Sequence, residues 1–385
     1  MDWPGNILLY VLLVVAVAIG FLLGRREQRP KKSQAAVIKD YYQGLNFLLG
    51  DRPELGVDKF IQAMEVSDES IDVHLALASV VRRRGEVDKA IRIHQNLLAS
   101  PALKTANKQL IEFELARDYH AAGLLDRAEG LLGDIVARRD AQEKQAVDLL
   151  LDIYEQERDW QQAIVISKRA SGSDSGQKLR LSHFHCELGE SYLANGEVKL
   201  ANEHARGAVQ VDASNPRGHW LIALVESSQK RHKQVLRSLR RVAELQPSLG
   251  EELLDLFARS AEAMGREHEY LEFLEQALER SASAKLVGAV MDYRRKHGLT
   301  VDYGQVLALI GREPRQEHLP MLLDVMNRSI QNNGQDLEAE ARDLMAKIAV
   351  DSEGHQCSNC GFTAAAHLWH CPTCKAWGSF SDRSA

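Results

Sequence analysis

The stretch LGESYLANGEVKLANEHARGAVQVDASNP, residues 188–216, decides the fold. It reads as helix, turn, helix, turn. A large side chain at Tyr192 is followed by a turn glycine at Gly196, small residues at Ala201 and Ala208, and Asn215-Pro216, which opens the next element. Small residues at these places let paired helices approach, and the large one fills the space between pairs.

Working outward, Ala201 belongs to a series. Gly56, Ala90, Ala128, Ala163, Ala201, Val235, Tyr270 and Tyr303 are separated by 34, 38, 35, 38, 34, 35 and 33 residues. Nine residues earlier stand Phe47, Tyr119, Tyr154 and Tyr192; five earlier, Gly85, Gly123, Gly196 and Gly265; seven later, Ala63, Ala170, Ala208 and Ala277. A period of about 34 residues carrying helix-turn-helix signals marks a repeat array. The 38-residue steps place inserted residues near Pro101 and Ser171–Gly176. The pattern resembles the tetratricopeptide repeat, over residues 36–350 and about nine helical pairs. Few prolines (9) and 45% apolar content agree with an all-α chain whose pairs bury apolar stripes against their neighbours.

Two further features flank the array. Ile7 to Leu23 is an uncharged apolar run, just long enough to cross a bilayer. Asp2 precedes it and Arg25-Arg26 follows, the reverse of a cleaved signal peptide, so residues 1–24 read as a retained anchor. Arg25, Arg26, Arg29, Lys31 and Lys32 make residues 25–35 a basic linker. The positive-inside rule then puts the bulk of the chain on the cytoplasmic side of the membrane, with anionic lipid at the basic cluster. Gly20 and Gly24 form a G-x-x-x-G through which copies could associate as a homo-oligomer. The first 32 residues carry +3 of the formal net charge of −6, which leaves −9 for the remainder. An acidic body argues against nucleic acid.

Residues 351–385 form the third part. Cys357-Ser-Asn-Cys360 and Cys371-Pro-Thr-Cys374 are two C-x-x-C knuckles in a module of ~30 residues, the spacing of a tetrahedral thiolate site for one metal ion. Zinc suits such a site first, and iron binds the same donors. His355, His367 and His370 read as neighbours of the site rather than ligands. Only six residues separate Val350 from Cys357, which predicts that the module packs on the last helices.

First helices of such an array line its concave face. The candidate partner groove there comprises Arg82, Phe113, Arg117, His120, Asp148, Asp152, Glu155, His183, Glu190 and Trp220, running from basic and aromatic to acidic. It would suit a helix or extended peptide of mixed charge; the alternative is a set of solvated helix faces. No H-E-x-x-H, G-x-S-x-G, phosphate loop or G-x-G-x-x-G is present, and four cysteine ligands would close the metal's coordination shell, so the chain does not read as an enzyme.

The order of membrane helix, repeat array and metal knuckle is similar to that of the lipopolysaccharide assembly protein B family. Cys357-x-x-Cys360-Gly361-Phe362 and Trp369-His370-Cys371-Pro372-x-Cys374, with Trp377 and Phe380, resemble a rubredoxin-like, zinc-ribbon module in which Trp369, Trp377 and Phe380 pack beside the metal. Lys375 replaces the usual glycine after the last cysteine, and the loop between the knuckles is short; both weaken an electron-transfer reading. The resemblance implies an inner-membrane adaptor that promotes breakdown of the deacetylase LpxC by the membrane protease FtsH, restrained by a further inner-membrane regulatory protein. The alternatives are a general scaffold for envelope enzyme complexes and an iron-containing electron carrier.

Overall fold

The computed structural model describes residues 70–382, apart from 102, 170–174, 281–282, 313, 315, 332–334, 349–354 and 365, together with Val14, Val15 and Val17. The apolar run, the basic linker and the first repeat therefore lie outside the described residues, except that those three valines are helical and exposed. Among the described residues no helix is long and apolar enough to cross a membrane.

Among the described residues from Ser70 onwards, sixteen α-helices follow one another: α1 (Ile71–Arg83), α2 (Val87–Leu98), α3 (Thr105–Ala121), α4 (Leu125–Arg138), α5 (Glu143–Glu157), α6 (Trp160–Arg169), α7 (Ser175–Ala194) and α8 (Val198–Val211). Then come α9 (Pro216–Ser228), α10 (His232–Leu245), α11 (Gly250–Glu262), α12 (Glu267–Arg280), α13 (Ala284–Lys296), α14 (Tyr303–Arg312), α15 (Leu319–Gln331) and α16 (Gln335–Lys347). Among the described residues three short strands follow the helices: β1 (His355–Cys357), β2 (Thr363–Ala364) and β3 (Phe380–Asp382). The fold is an all-α tetratricopeptide array carrying a small zinc ribbon.

One turn recurs between paired helices and explains the sequence period. Gly85, Gly123, Gly196 and Gly265 all have positive φ, between 61 and 84°. Gly298, Arg158 and Lys230 stand at the same phase and share that conformation, at φ 67, 57 and 56°. In each turn this residue's N–H donates to a carbonyl three back and the next N–H to one five back, as in Gly196 to Leu193 and Glu197 to Tyr192. These are Schellman caps, which satisfy the last carbonyls of the first helix and aim the chain into the second. Arg158 and Lys230 hold the geometry without glycine, at a backbone cost of about 1–2 kcal/mol each.

The small residues behave as their spacing implies. Ala90, Ala128, Ala163, Ala201 and Val235 are all fully buried. A Cβ at Gly189 on α7 would lie 2.7 Å from Leu221 Cδ2 on α9 and 3.3 Å from His204 Cβ on α8, so glycine lets three helices meet there. The inserted residues of the 38-residue steps sit partly in longer first helices: α3 has 17 residues and α7 has 20, against 13 in α1.

The chain divides into two compact units, residues 1–153 and 154–385. In the first, Ile71, Leu77, Val81, Ile93, Leu97 and Ile111 build the core. Arg82 spans α1 and α3, donating to Asp118 at 2.7 Å and Glu114 at 2.9 Å. The second unit has its main core around Leu253, Phe257, Leu274, Leu307 and Leu322, with Phe257 stacked on Phe273 at 4.2 Å.

Candidate metal centre and its seat on the helices

The two knuckles are built alike. β1 pairs antiparallel with both β2 and β3, in the order β2-β1-β3, and ends at the first cysteine. Cys357 N–H donates to the Phe362 carbonyl and the Cys357 carbonyl accepts from Gly361 N–H; Cys371 repeats both bonds with Ala376 and Lys375. The residue after each second cysteine is left-handed: Gly361 at φ 76°, Lys375 at φ 57°. Lys375 therefore adopts the conformation for which glycine is the ordinary choice.

This geometry gathers the sulfurs. Cys357 Sγ lies 3.6 Å from Cys374 Sγ and Cys360 Sγ 3.7 Å from Cys371 Sγ, and all four lie within 4.8 Å of one another. A tetrahedron with metal–sulfur bonds of ~2.3 Å has edges of ~3.8 Å, whereas a disulfide needs ~2.05 Å. The four cysteines are thus positioned to hold one metal ion. Cys357, Cys371 and Phe380, with Phe362, Ala364, Leu368 and Cys374 against them, form the module's own core. So few apolar groups do not fold a module of this size unaided, and a metal held by the four sulfurs would supply the difference.

The module rests on the second unit through two tryptophans. Trp377 Nε1 donates to the Glu155 carboxylate at 3.1 Å, and the same Oε1 accepts from Arg180 at 2.5 Å. Its ring stacks between His370 (4.3 Å) and His183 (4.9 Å), with Trp160 and Phe184 edge-on at 6.1 Å. Trp369 packs against the second unit's main core, as Trp220 and Leu224 do, and lies 6.2 Å from His183. Gly378 has φ 59°, and a Cβ on it would meet His183 Nε2 at 3.5 Å.

Charge is concentrated beneath the rings. Arg217, at the start of α9, lies 5.8 Å from the Trp369 ring and 6.0 Å from the Trp377 ring. Its side chain is 4% exposed, yet it donates to Glu190 at 2.9 and 2.8 Å and to Glu187 at 2.8 Å. Burial opposes its charge, but these carboxylates overcome that and raise its pKa above the ordinary value. His183 goes the other way: burial, then Arg217 and His370, push its pKa down to about 3, so the ring is neutral.

Of the ten candidate groove residues, Glu155, His183 and Glu190 meet here, at the seat of the chain's own module, while Trp220 packs half-buried against the second unit's main core. Asp148 and Asp152 are exposed on α5, and His120 is half-buried. Arg117 is exposed and pairs with Glu114 at 2.8 Å. Phe113 is buried at 8% exposure, a packing residue of α3 rather than a surface aromatic, and Arg82 is the internal strut described above. Two expectations change. The module sits on α5, α6, α7 and α9 rather than on the last helices, because Trp377 and Trp369 find their partners there. Those tryptophans also face the helices, and of the three aromatics Trp369, Trp377 and Phe380 it is Phe380 that packs with the cysteines. Trp160, Phe184 and Arg217 were not among the candidates; they are spread over three helices with no local motif.

Residues 355–382 match the rubredoxin metal binding domain family. The chain is 30% identical over 378 residues to lipopolysaccharide assembly protein B of Escherichia coli strain K12, covering 97% of each chain. It is 27% identical over 403 residues to the protein of that name from Haemophilus influenzae, covering 98% of each. Among solved structures, MamA residues 41 to the end from Desulfovibrio magneticus RS-1 is similar at 14% identity and TM-score 0.31, over 47% of this chain and 97% of that one. With 30% identity sustained along almost its whole length, the chain belongs to the lipopolysaccharide assembly protein B family.

Proposed function

We propose that this chain is an inner-membrane regulatory adaptor of lipopolysaccharide synthesis, which brings the deacetylase LpxC to the membrane protease FtsH for degradation. The observation that carries the reading is the end-to-end match to relatives named for lipopolysaccharide assembly. The repeat array and the closed four-cysteine site favour a binding role over catalysis, since a metal with four protein ligands keeps no position for substrate. Zinc is the proposed metal and its role is structural.

In this reading Ile7 to Leu23 anchors the chain, the basic cluster touches anionic headgroups, and the array lies on the cytoplasmic side. Sharing a bilayer with the protease raises the effective concentration, so weak contacts suffice. A further membrane protein restrains the adaptor when lipopolysaccharide is scarce.

The test is the half-life of LpxC in cells with and without this chain, with FtsH active or inactive. Removal of the chain should lengthen the half-life only when FtsH is active. An unchanged half-life would leave a general envelope scaffold as the better account. Metal analysis of the purified chain should return zinc; iron and a red protein would favour the electron carrier.

A further inference from the structure

The four sulfurs share one site but not one environment. Cys357 and Cys371 are buried, Cys374 is half-buried, and Cys360 is exposed. Ser358, Asn359 and Gly361 beside it are exposed as well. Pro372, Thr373 and Lys375 of the second knuckle are exposed too, so both tips meet solvent; the sulfurs differ, Cys360 being exposed and Cys374 half-buried, and only the second knuckle carries the rings that reach the helices, Trp369, His370 and Trp377. Cys360 Sγ also lies 3.7 Å from Cys371 Sγ, the sulfur inside the loop that sets both tryptophans. In that loop Cys371 N–H donates to the Ala376 carbonyl and Gly378 N–H to the Trp369 carbonyl.

We infer that Cys360 is an oxidant-entry site, where a hydroperoxide converts the metal-thiolate centre into a Cys360–Cys371 disulfide and frees the module from its seat on the helices. A metal-bound thiol is already deprotonated and nucleophilic. The Cys360 thiolate attacks one peroxide oxygen; the O–O bond breaks, a sulfenic acid forms, and hydroxide departs, or the alkoxide when the oxidant is an organic hydroperoxide. The Cys371 thiolate then attacks the sulfenic sulfur, making the S–S bond and expelling the second hydroxide. The two sulfurs lose two electrons and the peroxide gains them. Cys357 and Cys374 remain as the only thiolates, half of the donor set, and the metal passes to competing chelators. Closing 3.7 Å to ~2.05 Å draws Cys371 towards the first knuckle and pulls the Trp369–Gly378 loop with it. A thiol reductant and fresh metal restore the site.

The inference rests on the four-thiolate metal site and is independent of the lipopolysaccharide reading. The experiment uses the full chain with its metal content measured first; a chain without metal would overturn the site itself, before any oxidant is added. Hydrogen peroxide is then added up to two equivalents, with dimedone to trap sulfenic acid, a chromogenic chelator to count released metal, peptide mapping of disulfides, and tryptophan emission. The expected result is a dimedone adduct on Cys360 at least ~tenfold above any other cysteine. Cys360–Cys371 should be the main disulfide, with one metal ion released per peroxide consumed. The emission red shift should shrink in Trp377→Phe and reverse with dithiothreitol and metal. First adduct on another cysteine, a Cys357–Cys360 disulfide, metal retained at two equivalents, or metal release with unmoved emission would each overturn it.

Discussion

Replacing Trp377 with alanine should undock the module while leaving its metal in place. The side chain makes one charge-assisted hydrogen bond, to Glu155 at 3.1 Å, and a stacked contact with His183 at 4.9 Å. A hydrogen bond to a charged group contributes about 1.5–3 kcal/mol and an aromatic pair about 0.5–1.5 kcal/mol beyond its area. Together they come to about 3 kcal/mol, or roughly a 150-fold shift in the docking equilibrium. The four sulfurs are untouched, and the Trp377 ring lies outside the cysteine core, so metal stoichiometry should hold at one. Hydrogen exchange of the α7 amides around His183 and of the strands reads both effects. The expected pattern is faster exchange along α7, unchanged exchange near Cys357, and a smaller loss, about 1.5 kcal/mol, for Trp377→Phe. A cycle with His183→Ala should return a coupling of about 1 kcal/mol. If Trp377→Ala leaves α7 exchange as it was, the tryptophan does not hold the module and the seat is misassigned.

Acidification should act on the same seat. His183 is kept neutral when docked, with its pKa pushed down to about 3 by burial, then Arg217 and His370; release exposes the ring and removes His370, so its pKa rises towards the ordinary 6.5 with Arg217 still beside it. Above pH 6.5 the ring is neutral in both states and has no effect. Below it the undocked state takes the extra proton, so docking weakens by about 1.4 kcal/mol per unit down to about pH 3. His183→Gln should flatten that slope in emission measured against pH. Turn chemistry gives opposite outcomes at equivalent places. Gly123→Ala meets no atom within 4 Å, so its cost is backbone alone, about 1 kcal/mol, whereas Lys230→Gly and Lys375→Gly relieve a left-handed residue and should gain up to about 1 kcal/mol in denaturant melts. Cys371→Ser should abolish metal binding and unfold the module, with far-ultraviolet circular dichroism still reporting a helical array; a global loss of helix would make the module part of the array's own core.

What the sequence disclosed follows from how local each signal is. The cysteine site was readable because its ligands and turns lie within one short segment, and Gly361 even marks its turn. The array was readable because Ala90, Ala128, Ala163 and Ala201 recur in phase and are buried for the same reason each time. Arg158 and Lys230 hid two of the turns, since the cap's bonds are made by backbone and the side chain need not be glycine. The module's seat was hidden altogether. Glu155 and Trp377 are 222 residues apart, and nothing in either neighbourhood marks them as partners. Helical spacing did place His183, Glu155 and Glu190 on a shared face, but it carried no sign that the chain's own end would cover it.

The measurement that bears most directly on metal-dependent seating of the module is the fluorine resonance of 5-fluorotryptophan at position 377, assigned by Trp377→Phe, in the full chain before and after metal removal. Seating between His183 and His370 predicts one shifted, broadened line with metal, a sharp line at the free-indole position once the metal is stripped, and recovery on adding it back. A line that stays shifted in the metal-free chain would contradict the account, because the tryptophan would then hold its seat without the site that is meant to place it.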